Sequence, residues 1–73
     1  MRITVEMVDK KGNPIKGIVQ VGSQAVQTAN GYSVFDDLSA GTYVVRGLAP
    51  GRHLESKIVQ LLDSDLEVII EAR

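Results

Sequence analysis

Seventy-three residues with no Cys and one His allow a single domain, and they exclude a disulfide framework and the usual zinc sites. Eight basic and nine acidic residues, net charge −1, are interspersed, with Lys10-Lys11 and Asp36-Asp37 as the longest like-charge runs. That distribution excludes the basic stripe a nucleic-acid partner needs.

In chain order, residues 2–8 place Ile3, Val5 and Met7 on one side and Thr4 and Glu6 on the other, which predicts a half-buried first strand. Asp9-Lys10-Lys11-Gly12-Asn13-Pro14 is a turn cluster. Residues 15–21 form the second strand, with Gly17, Val19 and Val21 inward, and residues 25–28 a short third. Asn30-Gly31 is the strongest hairpin signal, a two-residue type I′ turn with φ > 0 at both positions. Residues 32–36 and 42–48 are strands four and five, separated by a turn around Leu38 and Gly41. Residues 53–61 follow Ala49-Pro50-Gly51 as strand six, with two possible registers and room for a β-bulge. A helix over 54–62 is the alternative there, since Leu54, Ile58, Leu61 and Leu62 also fit a helical stripe. Asp63-Ser64-Asp65 turns into strand seven, residues 66–72.

Seven short strands with turn signals roughly every 8–12 residues predict a seven-stranded antiparallel β-sandwich. Its expected core is Ile3, Val5, Val19, Val21, Phe35, Leu38, Tyr43, Val45, Leu66, Val68 and Ile70. A core this small supplies only about 3–5 kcal/mol, so without staples the domain needs efficient packing or association.

The stretches Gly12-Asn13-Pro14-Ile15-Lys16-Gly17, Thr28-Ala29-Asn30-Gly31, Phe35-Asp36-Asp37-Leu38-Ser39-Ala40-Gly41-Thr42-Tyr43-Val44-Val45 and Pro50-Gly51 together resemble the carboxypeptidase regulatory-like domain and the collagen-adhesin B-type repeats. The resemblance implies a prealbumin-like (transthyretin-like) sandwich and a role as an accessory, stalk or adhesion module. Many such adhesin repeats carry a Lys–Asn isopeptide bond between the first and last strands. Here the first strand has no Lys and the last no Asn, so the crosslink is not expected. The transthyretin-related hydroxyisourate hydrolases resemble the chain in fold only, because their site needs more than one His, whereas His53 stands alone.

If successive strands alternate in direction, the turns after strands two, four and six share one pole with Met1. Lys10, Lys11 and Arg52 then share the other with Arg73. Asp36, Asp37, Asp63 and Asp65 therefore meet at one end, where their oxygens suit a hard cation such as Ca²⁺, or serve as turn formers. Tyr32 is the sole candidate for a carbohydrate platform, and Ile18 and Ile69 are expected on outer faces. These features predict a non-catalytic structural or protein-interaction module with no cofactor, whose partner is another protein or a second copy. The alternative is a module that binds carbohydrate or Ca²⁺ at the acidic pole. No apolar run approaches the ~18 residues of a transmembrane helix, and residues 1–6 lack a signal peptide's apolar centre. Read as complete, the chain is expected in the cytoplasm. As a domain of a longer exported protein, it is expected at the cell surface or outside.

Overall fold

Alternation of apolar and polar side chains with period two fixes which side of each segment faces inward. In the computed structural model, which describes residues 1–72, every predicted strand segment overlaps a strand: β1 (Ile3–Val8), β2 (Ile18–Val21), β3 (Gln24–Gln27), β4 (Tyr32–Phe35), β5 (Gly41–Leu48), β6 (Ser56–Leu61) and β7 (Leu66–Glu71). They build two facing sheets, ordered β4-β1-β7 and β3-β2-β5-β6, in a sandwich-like arrangement. The helical alternative over 54–62 is replaced by β6.

The purely antiparallel expectation is corrected. β1 and β7 pair in parallel, from Ile3 opposite Leu66 to Val8 opposite Glu71. All other ladders are antiparallel. The reason lies in the alternation itself: odd-numbered strands all run the same way, so bringing the first beside the last leaves only a parallel ladder.

Two predicted strands turn out to be split between the sheets. Within 15–21, Ile15 donates its N–H to the Met7 carbonyl at 2.9 Å and Pro14 bridges Val8, so this part belongs with β1. The chain then crosses to the other sheet at Gly17. A Cβ there would lie 2.4 Å from the Leu48 carbonyl oxygen and 2.9 Å from Met7 Cε, so the crossing requires glycine. Within 53–61, Leu54 bridges Ala72 beside β7, whereas β6 pairs with β5. The two registers of that segment thus serve two sheets and are not a bulge.

Asn30 and Gly31 have φ of 53° and 86°, and Ala29 and Tyr32 exchange hydrogen bonds of 2.8 and 3.0 Å across them. This is the expected two-residue turn. Its flanking strands, β3 and β4, lie in different sheets, so it is a corner between layers.

Ile3, Val5, Val19, Val21, Phe35, Val45 and Ile70 are fully enclosed, and Leu38 and Val68 are buried. Met7, Ile15, Leu61 and Ala72 join them. Tyr43 and Leu66, expected inside, are half-buried at the margin. The Tyr43 hydroxyl explains its position, since it reaches out to donate to the Ser39 carbonyl at 2.6 Å.

Candidate interaction surfaces

The poles are populated as strand alternation predicts. At the Met1 end, the N-terminal ammonium donates to the Leu38 carbonyl at 2.9 Å, and Leu38 N–H returns a bond to the Met1 carbonyl at 2.8 Å. Arg2 draws two of the acidic turns together. Its Nε donates to Asp36 Oδ1 at 2.6 Å, and its backbone N–H donates to Asp65 Oδ1 at 2.8 Å. The hydrogen bond donated to Asp36 and that carboxylate's charge hold the guanidinium still more firmly protonated than usual. Asp37 occupies a left-handed turn position, φ 58°, and Asp63 sits exposed in the turn before β7. Among the described residues, no three or more of His, Cys, Asp and Glu are grouped to hold a metal ion. A protein cation supplies the counter-charge at this pole. Its sequence signal was the outward parity of Arg2, the residue just before β1, which counting carboxylates overlooks.

At the opposite pole, Asp9 organises the turn after β1. Its Oδ1 accepts the backbone N–H of Lys11 at 2.8 Å and of Asn13 at 2.9 Å, with Gly12 at φ 85°. The N–H of Asn13 is the main reason the Asp9 carboxyl titrates below its ordinary value; partial desolvation opposes it, and the N–H of Lys11 adds to it. Lys10, Lys11 and Arg52 line one hollow together with Ala72. The expected place of Arg73 in that group lies outside the described residues.

The two outer faces carry what the sequence pointed to, and more. On the β4-β1-β7 sheet, Tyr32 and Ile69 flank Glu6 in one cross-strand row, and Val34 and Glu67 flank Thr4 in the next. Ile69 is 53% exposed and Tyr32 47%. A hydrogen bond to Glu6, then the charge of Glu6, raise the Tyr32 phenol above its ordinary pKa, with smaller contributions from partial desolvation and the charge of Glu67. On the β3-β2-β5-β6 sheet, the rows read Gln27–Ile18–Leu48, then Ala25–Gln20–Arg46–Ser56, then Val44–Ile58. Ile58 is 75% exposed and Leu62, just beyond β6, 68%. A hollow of about 660 Å³ opens beside Ile18 and Leu48, lined also by Ala49 and Pro50. Ile18, Tyr32 and Ile69 are therefore exposed, with Tyr32 and Ile69 on one sheet and Ile18 on the other. Sequence reasoning missed Ile58 because which parity of 53–61 faces outward depends on partners far along the chain, whereas Val44 and Leu48 lie on the outward parity that an inward Val45 already implied and were not singled out.

Where β4 passes β3, the buried Ser33 hydroxyl donates to the Val26 carbonyl at 3.2 Å and ties the two sheets together. On the other side, the free edge of β7 is guarded. Lys57 lies at the inward parity of β6 and its Nζ donates to the Ile69 carbonyl of β7 at 2.6 Å. An inward-pointing lysine that also occupies a neighbouring edge carbonyl obstructs the addition of a further strand.

No helix among the described residues is long and apolar enough to cross a membrane. No protein-family model and no curated protein matches the chain by sequence. In fold it is similar to a solved structure, the Bacillus anthracis TIE protein, with a TM-score of 0.75 and 20% identity over 97% of this chain. The chain spans 16% of the length of that protein chain, so at this identity the likeness is one of fold in a single segment of it.

Proposed function

We propose that the chain is a non-catalytic protein-interaction module: an accessory domain or building block of a larger assembly, on a sandwich of the prealbumin-like, carboxypeptidase regulatory-like kind. The observation that carries this reading is the apolar content of both outer faces. Ile18, Val44, Leu48 and Ile58 stand out on one sheet and Tyr32, Val34 and Ile69 on the other, where polar residues would serve a free monomer better. A single exposed Ile is ordinary, but their concentration on two broad, regular surfaces of a small unstapled domain favours docking. His53 is exposed, and acid–base chemistry needs a partner that orients it, which also favours a non-catalytic role.

The test is a comparison of Ile58→Lys and Ile69→Lys with the parent by sedimentation and thermal melting. Both positions face outward, so each variant should keep its fold and melting temperature while its self-association or partner binding weakens. Unchanged mass and unchanged binding in both folded variants would leave only surface isoleucines and contradict the reading.

A further inference from the structure

The two outer faces differ in charge as well as sharing apolar character. The β4-β1-β7 face presents Glu6, Glu67 and Glu71, and its one cation among the described residues, Arg2, is already paired with Asp36. The β3-β2-β5-β6 face presents Arg46 within its central row and Lys16 at the entry to β2. The strands of that face show no carboxylate at an outward position. Arg46 has Gln20 on one side and Ser56 on the other, so its charge has no opposite partner across the sheet. Each face thus lacks what the other supplies.

We propose that copies of this chain stack face to back, with the acidic outer face of the β4-β1-β7 sheet covering the basic outer face of the β3-β2-β5-β6 sheet of the next copy. This rests on the interaction reading above and specifies the occupant. In the stack, Arg46 of one copy meets Glu6 and Glu67 of its neighbour beside the ring of Tyr32, a setting that suits a guanidinium. Ile58, Val44 and Leu48 of the one copy cover Ile69 and Val34 of the other.

Like faces do not pair this way, because joining two acidic or two basic faces sets equal charges against each other. The contact is therefore heterologous, and its repetition gives an open stack unless the rotation closes it. Size agrees with the assignment. The molecule measures 33 × 21 × 19 Å, so a broad side offers a footprint of about 600–700 Å², near the roughly 800 Å² per partner of a stable interface. The guarded edge points the same way, since Lys57 occupies an edge carbonyl of β7 and leaves the faces as the larger free surfaces.

Charge exchange tests the stack on the 73-residue chain. Glu67→Lys makes one face wrong and Arg46→Glu the other, so each variant alone should lose association roughly tenfold or more by sedimentation equilibrium. Mixed in equal amounts, the two variants should associate again, because the intact acidic face of Arg46→Glu meets the intact basic face of Glu67→Lys. Glu67→Gln and Arg46→Gln, which only remove charge, should lie between parent and reversed variants, and they carry the test if a reversed variant fails to fold. A mixture no better than its components overturns the stack, as does association that either reversal leaves untouched. If association survives both reversals but is lost in Ile58→Lys or Ile69→Lys, the stack falls and the interaction reading stands. A parent chain that is monomeric at every concentration overturns the stack and leaves the interaction reading to a different protein partner.

Discussion

Three side chains illustrate how single residues hold the sandwich. Phe35 is the largest enclosed side chain, 1% exposed, on β4 against the first strand. Phe35→Ala should destabilise by about 3–5 kcal/mol, comparable with the whole stability of so small a domain, as read by urea unfolding. Gly31 is constrained twice. Its φ of 86° is costly for a branched residue, and a Cβ would sit 2.7 Å from Pro14 Cβ. Gly31→Val should therefore lose at least about 1–2 kcal/mol, seen as a lowered melting temperature, and an unchanged melt would contradict the geometry. Asp9 makes a prediction about pH. Its carboxyl is depressed by the N–H groups it accepts, chiefly that of Asn13, so the folded state favours the charged form. The stability this adds is present above the unfolded value of about 3.9 and is lost as pH falls through the lower folded value. Asp9→Asn should be less stable than the parent at neutral pH, with the gap closing in acid. Urea titrations at several pH values check it, and a gap independent of pH would contradict it.

At the scale of elements, the sequence disclosed local chemistry and concealed long-range pairing. Asn30-Gly31 announces its turn because the positive φ is a property of those two residues. The inward parity of Ile3, Val5, Val19, Val21, Phe35, Val45, Val68 and Ile70 is equally legible, since alternation alone decides it. Which strands become neighbours is not local, and so the parallel β1–β7 ladder and the sheet crossings at Gly17 and before β6 were hidden. β6 shows why. Lys57, Val59 and Leu61 face in while Ile58 and Gln60 face out, so both parities carry apolar residues and the pattern cannot choose. The outer-face sites were legible where the parity was clear, as at Ile18 and Ile69, and illegible at Ile58. The edge role of Lys57 was invisible for the same reason, and it can be tested. Lys57→Val should free the Ile69 carbonyl and add apolar surface at a strand edge, raising the tendency to aggregate on prolonged incubation. Light scattering measures this, and a variant as dispersed as the parent would show that Lys57 guards nothing.

For the whole molecule, alternating strand direction sets the acidic turns and Met1 at one pole and the Lys10, Lys11 and Arg52 group at the other. Arg2 neutralises part of the first pole, so the largest unanswered features are the two faces, apolar on both and opposite in charge. A small core without disulfides gains from covering such surfaces, which favours assembly. The most direct test of that claim is sedimentation velocity of the unmodified chain from micromolar to millimolar concentration, at low and high salt. Stacking predicts a weight-average mass that climbs with concentration and falls back when salt screens the charged faces. A single monomeric boundary throughout, unmoved by concentration or salt, would contradict it.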